Sequence, residues 1–431
     1  MQTPSVVQSS STIERKVGSL GNGLRLVTIE MPALHYCELI LFIRMGSRFE
    51  HVANNGISHF LEHMLFRGNR RFPDYQKMAE HIEDMGGTSN AYTGKTITSL
   101  NLHTLPHSLE EALGPLAAHC DGPLFKDIDV ERKIIIEELL DEKNEEGDEI
   151  CPENLTRLLM YPEGDPNALP IIGTPQTIQR ITRQEIEDFF TAHVNRENAL
   201  LCAIGKVTHE DVLEKATRAF AFLPKGSLRP LPPSNQSIIG PQYRFIDNAT
   251  SKNDLIFSFV TPMEVDPLFY PFLVIKRYLD SGMGSKLYSI ICSELGLAYD
   301  VQIAIDLQCD GSYLDILIPA SGENIPRIAE ETLKILRELK EKGFPETDLE
   351  KTKRRLMHDM EYALDNASYL AEWLAGGELF GAPMSYEERK EKILAVSGAD
   401  VHAALEKIFT ERNLFCAVVG KEIKQPLTLR L

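Results

Sequence analysis

Paired cysteines are missing from this sequence. Its seven, Cys37, Cys120, Cys151, Cys202, Cys292, Cys309 and Cys416, are odd in number and nowhere closely spaced. That argues against a disulfide framework or a thiolate metal cluster and leaves buried, reduced thiols. Long apolar runs are missing too. No stretch approaches the roughly 20 apolar residues that cross a bilayer, so no membrane span is expected. Met1–Ser11 is polar, without a charged start followed by an apolar run, and does not read as a secretory signal. The expectation is a cytoplasmic protein, or one of the periplasm or an organelle if a leader was removed. Positive charge is scarce: 45 Lys and Arg stand against 63 Asp and Glu, a net −18. A nucleic-acid binder needs a basic face to neutralise phosphates, and anionic lipid makes the same demand. Neither partner is therefore expected. No glycine-rich phosphate loop follows a strand, so a nucleotide-dependent enzyme is unsupported.

What is present is an ordinary globular composition, 43% hydrophobic and 25% charged over 431 residues. A Pro-rich stretch at the midpoint, carrying Pro224, Pro230, Pro232 and Pro233, reads as a semi-rigid linker. Before it stands Asn198-Ala-Leu-Leu-Cys-Ala-Ile-Gly-Lys206. Near the end of the chain stands Asn413-Leu-Phe-Cys-Ala-Val-Val-Gly-Lys421. Each follows a helical segment, ending at Thr191 and Thr410. Two such matches half a chain apart, on either side of a linker, point to an internal duplication. The expected organisation is an N-terminal domain over 1–223, a linker over 224–241 and a homologous domain over 242–431.

Each half alternates strand and helix signals. Leu24–Glu30, Glu38–Met45, Thr96–His103, Ala199–Ile204, Asp254–Val260, Val301–Leu307 and Tyr313–Pro319 read as strands. Ile57–Phe66, Tyr75–Met85, Leu109–Cys120, Val130–Glu146, Phe269–Leu279, Ile325–Lys342 and Glu346–Leu374 read as helices. Strands in short-linked groups with helices between them favour α+β, with mostly antiparallel sheet.

The most informative run is Gly56-Ile-Ser-His59-Phe-Leu-Glu62-His63-Met-Leu-Phe66. Two histidines four apart share a helix face and can reach one ion. Glu62 lies three residues from His59, on nearly the same face, where a carboxylate can act as a base without being a ligand. This is the inverted zinc-hydrolase pattern H-x-x-E-H. A catalytic zinc needs a third protein ligand. Glu131-Arg-Lys-Ile-Ile-Ile-Glu137-Glu138 can supply it. Glu131 and Glu138 are two turns apart on one face, so Glu138 can ligate while Glu131 orients a ligand. Spacing alone leaves Glu137 and Glu138 both open. The acidic residues that follow, Asp141 to Glu149, read as a solvated helix end.

Here the sequence resembles the pitrilysin and mitochondrial processing peptidase family of inverted zinc metallopeptidases, over essentially its whole length. The likeness is carried by Gly46-Ser-Arg48 and Glu50, Gly56 to Gly68, Gly86-Gly87-Thr-Ser-Asn90-Ala91-Tyr92-Thr93, Glu131 to Glu138, Gly173-Thr-Pro175 and Ile178. Ser285-Lys-Leu-Tyr288 and Gly296-Leu-Ala-Tyr299 continue it. The resemblance implies one zinc on His59, His63 and Glu138, Glu62 as general base and a supporting role for Glu131. It implies two similar domains, a closed chamber, and substrate peptide adding as a strand along Asn90, Ala91, Tyr92 and Thr93.

One family feature is broken. Active members carry an Arg and a Tyr seven residues apart in the second domain, which hold the substrate carbonyl. Tyr299 matches the tyrosine, but Cys292 stands where the arginine belongs. A thiol supplies neither the fixed charge nor the forked donors of a guanidinium. Lys286 falls where the family has a different arginine and is not taken as a substitute. The second half also lacks H-x-x-E-H. The expectation is a zinc-bearing endopeptidase subunit whose site is completed by a homologous partner, as a heterodimer or else a homodimer. The alternative is a non-catalytic scaffold subunit of the same fold.

Overall fold

The computed structural model describes residues 15–431 except 235–238, 281, 309–310, 382–383 and 424. The expectations for Met1–Ser11, Cys309 and linker residues 235–238 lie outside the described residues. Two sheets organise the chain. The first contains β1 (Arg15–Ser19), β2 (Arg25–Glu30), β3 (Cys37–Ile43), β4 (Thr88–Thr93), β5 (Thr98–Thr104) and β6 (Ala199–Gly205), in the order β1-β2-β6-β3-β5-β4. The second contains β7 (Gln242–Asp247), β8 (Asn253–Thr261), β9 (Gln302–Asp306), β10 (Ser312–Ala320) and β11 (Phe415–Gly420), in the order β7-β11-β8-β10-β9.

The sheets repeat each other. β6 and β11, the two similar segments seen in the sequence, occupy equivalent central positions. Each has a parallel neighbour on one side (β2, β7) and an antiparallel one on the other (β3, β8). The remaining pairings are antiparallel. The α+β class with mostly antiparallel sheet is therefore what the chain adopts. Both central strands are wholly buried, which matches their continuous apolar sequence.

Each sheet is covered on one face by helices of its own half. Ile57–Leu65 and Leu109–Ala118 pack on Leu39, Leu41, Leu100 and Leu102. Phe269–Leu279 and Gly398–Ile408 pack on Leu255, Phe257, Leu314 and Ile316. The other faces are covered by exchange. The helix Ala367–Leu379 seals the first sheet, setting Leu370, Ala371 and Leu374 against Ile40, Phe42 and Leu200. Pro152–Met160 reciprocates, setting Leu155 against Ile256 and Ala417 of the second. A buried ion pair fixes that second contact: Arg157 donates twice to Asp315 on β10, at 3.1 and 2.6 Å.

Two expected helices are shorter than the sequence suggests. Val130–Glu146 becomes Ile128–Leu140. Asn144 ends the run by accepting from the amides of Glu146 and Asp148, a local turn completed by Gly147 at φ 86°. Glu346–Leu374 becomes two helices, Glu346–Ala363 and Ala367–Leu379. Asn366 caps the second by accepting from the amide of Tyr369. β1 and β7, unpredicted, are polar edge strands without clear alternation. Among the described residues no helix is long and apolar enough to cross a membrane. Cys37, Cys120, Cys202 and Cys416 are buried free thiols, and Cys151 and Cys292 are half-buried ones.

Candidate metal centre

The helix Ile57–Leu65 buries Ile57, Phe60, Leu61, Met64 and Leu65 against the first sheet. His59, Glu62 and His63 are left on its outer side, half-buried. Its start is closely fitted. Gly56 has φ 93°, and a Cβ there would lie 2.6 Å from the Ile178 side chain and 2.7 Å from the Ile172 carbonyl. Only glycine meets both conditions. Glu50, 1% exposed, accepts from the amides of Gly56 at 2.7 Å and Ser58 at 2.8 Å. It therefore satisfies the open amides of the first turn and places a carboxylate at the positive end of the helix.

The helix Ile128–Leu140 runs alongside, burying Glu131, Ile135 and Leu139. It brings Glu138 to the histidine pair. His59 Nε2 lies 3.7 Å from Glu138 Oε1, and His63 Nε2 lies 3.5 Å from Glu138 Oε2. One ligand atom from each of the three lies within 4.8 Å of the others. These spacings are too long for hydrogen bonds. They suit donors around one ion: arms of about 2.0 Å set at tetrahedral angles give edges of roughly 3.3 Å. The donor set fits zinc. Glu137, left open by spacing, is not in the group.

Neighbours prepare these groups. His63 Nδ1 lies 3.0 Å from Glu131 Oε2, and a proton on Nδ1 donated to that carboxylate leaves Nε2 facing Glu138. Arg67 pairs with the other oxygen of Glu131. Burial, with His63 nearby, lowers the His59 pKa to about 4, so its imidazole stays neutral at neutral pH. His59 Nδ1 is buried without a protein partner among the described residues. Burial raises the pKa of Glu62 against the opposing hydrogen bond from Thr93.

β4 is the edge of the first sheet, so the outer backbone of Asn90, Ala91, Tyr92 and Thr93 faces no other strand of that sheet. A cavity of about 400 Å³ joins this edge to the site, lined by Glu62, His63, Phe66, Tyr75, Asn90 and Ala91 among others. The four residues do not play one part. Asn90 and Tyr92 are exposed, whereas Thr93 is buried and its hydroxyl donates to Glu62 Oε2 at 2.5 Å. That contact escaped the sequence, as did the cap from Glu50. The residues named by the resemblance include both, but only tertiary packing joins them to the helix.

Tyr299 is not part of the cavity lining. It is 61% exposed, with the ammonium of Lys252 3.9 Å from its ring centroid. Cys292 lies half-buried in the irregular helix Ser289–Glu294, against the second core.

Comparison with known proteins agrees with this geometry. Residues 25–170 match the family described as insulinase, peptidase family M16, and residues 180–356 match the peptidase M16 inactive domain. An uncharacterized zinc protease of Rickettsia bellii is 27% identical over 94% of this chain and 97% of that protein. A probable mitochondrial-processing peptidase subunit beta of Arabidopsis thaliana is 29% identical over 63% of this chain and 51% of that protein. The fold also matches the crystal structure of a protease from Helicobacter pylori, with TM-score 0.84 at 18% identity over 95% of this chain and 100% of that one. An M16 inactive domain from Pseudomonas fluorescens matches with TM-score 0.84 at 19% identity, over 96% and 100%. With consecutive family matches over most of its length, a duplicated α+β fold and an H-x-x-E-H helix beside a third carboxylate, the chain belongs to peptidase family M16.

Proposed function

We propose that this chain is a zinc-dependent endopeptidase that hydrolyses peptides or unfolded protein segments in an enclosed chamber. A homologous subunit completes its site. The observation that carries the proposal is the convergence of His59, His63 and Glu138 beside a half-buried Glu62. The zinc proteases among its relatives support zinc as the ion.

His59, His63 and Glu138 would hold the zinc, which when bound supplies Lewis acidity toward a carbonyl and lowers the pKa of water. The chain's own residues do the rest. Glu131 orients the His63 ring, and Arg67 holds Glu131. Glu62 takes the proton from water and returns it to the leaving amine. Its raised pKa suits both transfers, and the Thr93 hydroxyl fixes its carboxylate. The β4 edge holds an extended peptide through backbone bonds, with little demand on its sequence.

Charge stabilisation at the carbonyl oxygen is the missing part. Burial and the charge of Asp300 raise the pKa of Cys292, which keeps it a neutral thiol, and a thiol offers no cation in either protonation state. A partner's Arg/Tyr pair would supply what Cys292 cannot. The test assays cleavage of an unstructured peptide by the zinc-loaded chain, with and without a homologous subunit that lacks H-x-x-E-H. Cleavage that rises with the subunit and vanishes in Glu62→Gln is expected. Full activity of the isolated chain, unchanged in Tyr299→Phe, would refute the need for a partner. Cys292 also favours a second reading, a scaffold subunit. Wild-type protein that binds no zinc when it is offered and cleaves nothing, even with the subunit, would overturn the peptidase reading in favour of that one.

A further inference from the structure

A second cavity, of about 500 Å³, lies between the β4–β5 turn and the exchanged helix Ala367–Leu379. Ile97, Leu307, Tyr369, Trp373 and Phe380 give it apolar walls. Arg389 closes one side, its guanidinium 4.1 Å from the Trp373 ring centroid and donating to Glu264 at 2.6 Å.

Among the described residues, four lining residues carry buried polar atoms without a protein partner: the indole nitrogen of Trp373, Oε1 of Gln308, the hydroxyl of Ser312 and Nε of Arg389. Ser312 is 1% exposed. Unpaired buried groups are uncommon, and four around one cavity point to something that fills it. Gly376 adds a second sign. It sits inside a helix, where glycine is disfavoured, yet a Cβ there would meet nothing within 4 Å. Neither a strained backbone nor close packing demands it, and its effect is to keep the cavity open.

The cavity adjoins the peptide edge. Ala91 packs into the first core and Thr93 reaches Glu62, so both face the metal helix. Tyr92, between them, faces the other way. It lies close enough to Asp306 and Glu372 to feel their charges, and Glu372 lines the cavity. A peptide paired with β4 alternates likewise, sending every second side chain toward the cavity.

Resting on the peptidase reading above, we propose that this cavity takes a large apolar or aromatic side chain of the bound peptide. The peptide's own carbonyl and amide groups are the missing partners of Trp373, Gln308 and Ser312.

Trp373 is the only tryptophan in the chain, so its fluorescence reports the site directly. The experiment titrates zinc-loaded Glu62→Gln protein with unstructured peptides that differ only in carrying Phe or Ala at one position, each position in turn. At one or two positions Phe should bind about ten-fold more tightly than Ala and shift the Trp373 emission. Gly376→Leu, which fills the cavity, should equalise the pair. Leu307→Asp, at a 53% exposed position, should do the same if the first variant folds poorly. Equal binding of Phe and Ala at every position, or no emission change, overturns the proposal. Wild type that cleaves peptides without preferring Phe leaves the peptidase reading standing and removes only the cavity. Wild type that cleaves nothing, while the Gln variant binds Phe peptides through Trp373, does the reverse.

Discussion

At the scale of single residues, the proposed mechanism divides labour between groups that touch reactants and groups that hold them. In the proposed mechanism Glu62 carries the proton, so Glu62→Gln should lower kcat by about 10²–10⁴-fold while zinc content, measured by mass spectrometry, stays at wild-type level. Glu131 acts through His63. Glu131→Gln should weaken zinc binding by about 10–100-fold, measured by chelator competition. The two variants therefore separate: one keeps the ion and loses turnover, the other loses the ion. The local part of this site was legible in the sequence, because His59, Glu62 and His63 sit on one helical turn and need no tertiary information. Glu138 was reachable from spacing only as one of two adjacent glutamates. Thr93 was not reachable as a partner of Glu62, because their contact exists only where an edge strand meets a helix.

At the scale of elements, the metal helix is held at both ends. Glu50 caps its start, and the imidazole of His119 sits 3.1 Å from the Leu65 carbonyl at its end. Burial lowers the His119 pKa to about 4, against about 6.5 in an unfolded chain, and His193 behaves alike. The sign follows from protons bound. Between pH 6.5 and 4 the unfolded chain binds protons at these sites that the folded chain does not. Stability should therefore be fully present above pH 6.5 and fall as pH drops toward 4. His119→Asn keeps a donor for Leu65 and removes one titration. Its stability, followed by chemical denaturation, should fall less steeply with pH by about 1.4 kcal/mol per unit over that window. Buried strands with continuous apolar sequence were found within two residues of their ends. Helix ends were harder to read, since Asn144 and Asn366 stop helices through side-chain bonds that compete with good helical sequence on either side.

At the scale of the molecule, the two halves are joined by exchanged helices and a buried charge pair. Asp315 is 3% exposed and Arg157 4%, so removing one partner strands a charge. Asp315→Ala should cost about 3–5 kcal/mol, whereas Arg157→Met with Asp315→Leu should recover most of it; thermal unfolding of both variants checks this. The duplication was visible from the sequence, since β6 and β11 are both short apolar runs that follow an Asn and close on Gly-Lys, half a chain apart. The exchange was not, because nothing in Leu155 or Leu370 says which sheet each will cover. That exchange carries a message about origin. A single copy of the repeat would leave Ile40, Phe42 and Leu200 bare, and could bury them only by borrowing a helix from a twin molecule that borrowed its helix in return. The present chain has the form such a symmetric pair would take after its two genes were fused. Severing it at the linker should give fragments that are insoluble apart and reassociate when made together.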